Sequence, residues 1–260
     1  QDIKTERQIL KGTHVLSDTF KVMPFVAYVL ENGNKVVAAR ALVTYYENDN
    51  IAYVGFFESV NDEEVCSKLF DAIFDFVKKD GKKTVTGPVD ASFWIRYRFK
   101  LGSDRGFEDT YSCEPYNKDY YVKLWEKCGF EISHTYISNF YRKVKSDDIS
   151  PKLKDRYERM CEKGYILRTS SFKTFDKDLV AIHSLITKTY RHFPMYTDIS
   201  LQQFRALFGY LKYVLNYSMV KLLFKDEEAV GFIICVPNFG FDSVGKLTIA
   251  KFLRIINKKN

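Results

Sequence analysis

The sequence predicts an α/β fold: a mixed, mostly antiparallel sheet flanked by helices, built as two successive units with the second copy incomplete. Three observations carry that expectation. Three apolar runs rich in β-branched and aromatic residues (25–30, 36–46 and 51–58) are joined by polar turns, the pattern of an antiparallel meander. The third run ends on Glu58. A polar turn (59–62) then leads into Val65, Leu69, Ala72, Ile73, Phe76 and Val77, whose helical period gives one apolar face. Finally, VKLLFKDEEAVGFIICV (220–236) can be laid over VAYVLENGNKVVAARALV (26–43) as strand, polar turn, strand, which reads as an internal repeat.

The bulk composition bounds the possibilities. The 260 residues are 46% hydrophobic and 16% aromatic, enough for one large core or two of about 130 residues each. The net charge of +7 is uneven. Residues 1–145 hold 21 Lys+Arg against 21 Asp+Glu, and residues 146–260 hold 19 against 12. A basic half can serve nucleic acid, a membrane surface or an anionic cofactor, or simply be a solvated surface. No dense Lys/Arg block occurs, and basic and aromatic residues are not interleaved on a recognisable module, so nucleic acid is not expected as a partner. Five scattered cysteines without C-x-x-C spacing argue against zinc or a disulfide framework and fit a reducing, cytoplasmic compartment. No apolar run approaches the length of a membrane span, and the first residue, Gln1, reads as a trimmed N-terminus.

In chain order, residues 1–20 are polar and mixed, with no long helical period. FVAYVL (25–30) and 36–46 are strands around a turn built on Asn32-Gly33. Residues 51–58 form the third strand, and Asn61 with Glu64 suggests a capping box for the helix that follows. Gly81 stops that helix, a short strand spans 84–86, and Gly87-Pro88 opens an aromatic loop. A second helix is expected near 118–128, ended by Gly129, and a closing strand over 130–141. The polar segment 143–154 marks the boundary between a unit over 1–145 and a partial second unit over 150–260. In the latter, helices at 151–163 and 177–191, a strand at 165–170 and a helix capped by Ser200 with Gln203 precede the hairpin 219–236. The stretch 246–259 reads as a basic amphipathic helix that packs on protein or touches a membrane or acidic partner.

Meander, helix, strand, helix and strand in this order resemble the GCN5-related N-acetyltransferase (GNAT) fold. NKDYYVKLWEKCGF (117–130) is similar to that family's late helix, N-x-x-A-x-x-x-Y-x-x-x-G-F, with a one-residue offset, and VGFIICVPN (230–238) to its third strand. Together with GFFESVND (55–62), GPVDASFWIRYRFK (87–100) and EPYNKDYY (114–121), these segments resemble bacterial proteins that carry two GNAT units in tandem. The resemblance implies acyl-CoA-dependent N-acylation of a small-molecule amine, with acetyl-CoA or another acyl-CoA held by a Q/R-x-x-G-x-G/A turn at a helix N-terminus. Here that turn is ESVNDEE (58–64), with no glycine and four carboxylates. It suits the helix dipole and repels a pyrophosphate. In the tandem proteins this chain resembles, the usual turn lies in the second unit after the third strand, so the resemblance implies a cofactor site that lies beyond residue 260.

The resemblance also suggests roles. Glu58 stands where many GNAT enzymes keep a general base, against the alternative of a solvated cap or salt-bridge partner. Tyr120 and Tyr121 stand where a general-acid tyrosine is often placed, against plain core packing. Asp90, Ser92, Trp94, Arg96, Tyr97 and Arg98 in one short loop, with Tyr116 and Asn117, have the mixed chemistry of a polar-ligand pocket, or else of a packed cover on the sheet. No His spacing suits a metal, and no Ser or Cys sits in a nucleophile elbow. Two readings stay open: an N-acyltransferase, and a non-catalytic ligand-binding module of the same fold.

Overall fold

The computed structural model describes residues 3–47, 49–101, 114–139, 145 and 148–236. They divide into two compact units, Gln1–Glu131 with Arg191–Ile199, and Ile132–Tyr190 with Ser200–Asn260. Each is a mixed α/β arrangement with an antiparallel-dominated sheet.

In the first unit, β1 (Lys21–Glu31), β2 (Asn34–Tyr45) and β3 (Ile51–Ser59) form the expected meander, and β4 (Thr84–Thr86) adds to β3 in parallel, giving the order β1-β2-β3-β4. The β1–β2 turn is Asn32 (φ 50°) and Gly33 (φ 79°), the pair of positive φ values that a two-residue hairpin matched to strand twist requires. The helix α2 (Glu63–Lys79) lays Val65, Leu69, Phe70, Ile73 and Val77 on the sheet. Asp62, not Asn61, caps it, accepting the Val65 N–H at 3.0 Å. The helix α3 (Tyr121–Lys127) packs beside α2 through an aromatic cluster in which the Phe70–Trp125, Trp125–Phe130 and Phe57–Trp125 ring centroids lie 5.0, 4.5 and 5.5 Å apart. Aromatic pairs of this kind add about 0.5–1.5 kcal/mol each beyond their burial.

Three local expectations are corrected. Residues 1–20 contain a helix, α1 (Ile3–Leu10), too short to announce itself by period. It is held by burial of Ile9 and by an ion pair from Glu6 to Arg40 on β2. The second helix begins at Tyr121, after a turn in which the Tyr121 N–H bonds Lys118 O at 3.1 Å. Residues 131–139 form no strand, and Ile132 and Ile137 are exposed. β-rich composition needs a partner edge, and none of the described strands pairs there. Residues 140 and 141 of that expected strand lie outside the described residues, as do 237–260, including the expected basic helix, and part of the segment 143–154.

The second unit comprises α4 (Pro151–Glu162), β5 (Tyr165–Thr169), α5 (Phe175–Thr189), α6 (Leu201–Phe208), β6 (Val220–Lys225) and β7 (Glu228–Ile234), with the antiparallel order β5-β6-β7. Ser200 and Gln203 form the expected capping box on α6. Buried Asp178 accepts from Arg168, Ser170 and Thr174, tying α5 to β5. These contacts hold its carboxyl below the ordinary value, although burial acts in the opposite direction. Among the described residues, no helix is long and apolar enough to cross a membrane.

In the first unit, β3 and residues 87–90 approach closely at two glycines. A Cβ on Gly55 would stand 1.9 Å from the Val89 carbonyl oxygen, and one on Gly87 would meet Val54 O at 2.5 Å and Trp125 at 2.7 Å. Since both neighbours include backbone, no side chain can yield. Gly55→Ala is expected to cost about 3 kcal/mol, as overpacking does, read from urea unfolding. An unchanged midpoint would mean that the close approach is absent in solution.

Candidate functional site

The close approach shapes an open cleft of about 400 Å³, solvent at its mouth included, in the first unit. One wall is the end of β3, where Arg40 pairs with Glu58 and Leu42 with Gly55. Two residues, Phe56 and Phe57, thus oppose the single residue Ala41, a β-bulge. Phe56 is fully buried with φ +47°, an uncommon conformation for a bulky side chain. Its N–H donates to Asp90 Oδ1 at 2.5 Å. Beyond the bulge, Glu58 lines the cleft.

The second wall is the loop after the Gly87-Pro88 cis peptide. Bonds from Asp90 N to Arg96 O (2.8 Å) and Arg98 N to Pro88 O (2.9 Å) close the loop, with Ala91 (φ 63°) and Arg98 (φ 66°) at its corners. Arg96 Nε lies 2.9 Å from Asp90 Oδ2. Asp90 is only 8% exposed. Burial raises its carboxyl above the ordinary value and the nearby Glu58 charge adds to this, while Arg96 and the Phe56 N–H pull down without overcoming it. Arg98 pairs with Glu114 at 3.2 Å and lies over the Tyr97 ring.

The third wall is the start of α3. Tyr121 OH donates to Glu58 Oε2 at 2.5 Å and accepts a long 3.4 Å bond from Ser59 N. Burial, and then the bond to Glu58, raise this phenol well above its ordinary value, so it stays protonated and holds Glu58.

The structure thus brings Glu58, Asp90, Arg96, Arg98, Tyr116, Asn117 and Tyr121 to one cleft, and leaves the other three named residues off it. Tyr120 OH donates to Ser59 O at 2.8 Å. Ser92 is buried, its Oγ accepting from Trp94 N. The indole N–H of Trp94 donates to Thr197 O at 2.8 Å, and its ring packs with Phe93 and Tyr196. Asn117, though on the cleft, clasps the Lys100 backbone, accepting from its N–H at 2.7 Å and donating to its carbonyl at 3.1 Å. Tyr97 of the same loop also lines the cleft, and sequence reasoning missed Phe57, Phe99 and Glu114. The signal for the bulge was Gly55, an isolated glycine inside an apolar strand.

Among the described residues, charges in the cleft do not cancel. Arg96 is matched by Asp90 and Arg98 by Glu114, and Glu58 has only the Tyr121 hydroxyl and no cationic partner among the described residues. The turn before α2 offers no cradle for an acyl-CoA pyrophosphate. Asp62 occupies the first-turn N–H of Val65, and Glu63 and Glu64 stand in that turn. No group of three or more His, Cys, Asp or Glu suited to a metal occurs among the described residues.

No protein-family model matches the chain. Over 188 residues it is 22% identical to protein YghO of Escherichia coli (strain K12), a match covering 72% of this chain and 47% of that protein. Among solved structures it is similar to the crystal structure of FemX at 12% identity, covering 85% of this chain and 50% of that one with a TM-score of 0.30. The chain spans about half the length of the curated relative it matches.

The raised Asp90 carboxyl has a definite pH signature. Its folded value lies above the ordinary 3.8, so its contribution to stability is complete below the unfolded value and is lost as pH rises through the folded one. Asp90→Asn removes this titration. The unfolding free energy of wild type minus variant is therefore expected to fall with rising pH just above 3.8, as measured by urea melts at a series of pH values. A difference that rises there would show the carboxyl to be lowered instead.

Proposed function

We propose that the cleft of the first unit is the acceptor site of an N-acyltransferase, taking a small-molecule amine as substrate. The observation that carries this reading is Glu58, a carboxylate without a cationic partner among the described residues, set among Phe57, Tyr97, Phe99 and Tyr121. An ammonium group supplies the missing charge, and aromatic faces favour a cation within about 6 Å of a ring centroid. Once the amine is bound, Glu58 is the group placed to take its proton. Tyr121 holds that carboxylate in position, and its high proton affinity keeps it a donor to Glu58. Acetyl-CoA, or another acyl-CoA, supplies the activated acyl group. The acidic turn at the start of α2 does not fit it, so the donor site lies outside that turn. Order of elements, the parallel β3–β4 pair and the α2–α3 packing support the resemblance on which the acyl-transfer part rests.

A second reading is a non-catalytic ligand-binding module, favoured by the same closed helix N-terminus. Calorimetric titration of a panel of primary amines, followed by thiol release from acetyl-CoA in their presence, separates the two. Amine binding that Glu58→Gln weakens at least about tenfold supports the cleft assignment. Acyl transfer that the same variant slows by about 10²–10⁴ supports Glu58 as base. Binding without transfer, in a protein that also binds acetyl-CoA, selects the second reading, and amines that give no heat overturn the acceptor site.

A further inference from the structure

Among the described residues, the sheet of the first unit ends in β1, which has one edge unpaired. In the order β1-β2-β3-β4, nothing among the described residues pairs with the outer edge of β1. The two-residue turn makes Glu31 and Asn34 the first hydrogen-bonded pair of the hairpin. Backbone groups of Glu31, Val29 and Ala27 therefore point at β2, and those of Leu30, Tyr28, Val26 and Val22 point outward. Pro24 shares that outward phase, the placement an edge strand tolerates. The same residues carry apolar side chains to solvent: Val26, Tyr28 and Leu30 are 43%, 55% and 74% exposed. In the second unit, the hairpin β6–β7 that echoes β1–β2 in sequence bears an antiparallel strand, β5, on the corresponding edge of β6.

We propose that β1 pairs antiparallel with β1 of a second copy of this chain, about a two-fold axis at Val26. The ends of the strand fix the register. Centring on Val26 sets Lys21 opposite Glu31 of the second copy at both ends of the pair, Leu30 opposite Val22, and Tyr28 opposite Pro24. A shift by two residues either way loses both charge pairs, and opposite charges across strands favour one register over another. Outward-pointing residues face outward-pointing residues in this register, as a hydrogen-bonded antiparallel pair demands. Each Pro24 leaves one bond of the ladder unmade. The interface is isologous and closes, so it yields dimers and not fibres. It stands independently of the cleft and of any reaction there.

Sedimentation velocity over a concentration series tests it. Wild type is expected to pass from monomer to dimer, and Val26→Lys, which sets two ammonium groups on the axis, to raise the dissociation constant at least about tenfold. Lys21→Glu and Glu31→Lys are each expected to weaken the dimer, and the two together to restore it, since the charges are exchanged and not lost. Circular dichroism melts check that these surface variants fold as wild type does. A chain that stays monomeric throughout overturns the proposal. So does a dimer indifferent to Val26→Lys, or a double charge exchange no better than either single one.

Discussion

The Phe56 N–H and the Asp90 carboxylate meet at 2.5 Å inside the first unit, and the geometry of the cleft follows from that bond. The bulge in β3 takes Phe56 out of the regular ladder and into positive φ, which leaves a buried N–H needing an acceptor. Asp90 supplies one carrying charge, and a bond of that type contributes about 1.5–3 kcal/mol, enough to offset the roughly 1–3 kcal/mol of strain in such a conformation. The arrangement needs Gly55 bare, because Val89 and Asp90 approach the strand where a Cβ would be. It also needs Arg96, because a buried carboxylate without a counter-charge would shed its charge by taking a proton. One bulge, one glycine and one ion pair therefore stand or fall together.

Electrostatics decide what the cleft can accept. Two arginines lie in it, which would favour an anion if they were unengaged. Arg96 is engaged by Asp90 and Arg98 by Glu114, and among the described residues the charge left over is Glu58. At the nearby start of α2, the partial positive charge of the helix is already met by Asp62, Glu63 and Glu64. Each such contact contributes about 0.3–1 kcal/mol to the helix, and together they turn an anion-attracting end into one that repels. Both features point the same way, toward a cationic ligand and away from a phosphate.

Legibility in the sequence divided along a physical line. The meander, α2 and the β6–β7 hairpin were readable because their signals are local: strand-like apolar runs, a helical period, Asn-Gly and Lys-Asp-Glu-Glu turns. The helix α1 was not, because eight residues give too little period and its support, Arg40, lies on another element. Residues 131–139 misled for the converse reason, since their composition favours a strand and the described residues provide no edge for one. Asn117 and Trp94 are of residue types that serve ligands well, and composition could not reveal that a distant backbone carbonyl takes the indole N–H and the Lys100 backbone the amide. Of the loop of mixed charge and aromatics, Asp90, Arg96, Tyr97 and Arg98 line the cleft and Ser92 and Trp94 do not, because the direction in which each side chain points is beyond the sequence.

The segment Arg191–Ile199 shows how far such long-range support extends. It counts with the first unit although its flanking helices belong to the second. Phe193 and Tyr196 lie 5.4 and 5.7 Å from Phe93, and Thr197 O accepts from Trp94, 103 residues away in the chain. Tyr97 stacks on Phe93 at 4.9 Å and lines the cleft. The loop that carries Asp90, Arg96 and Arg98 is thus braced on one side by β3 and on the other by this aromatic stack. Rotamers fixed by packing on both sides leave little freedom for the two Arg–carboxylate pairs to exchange partners. That wall is therefore a preorganised surface.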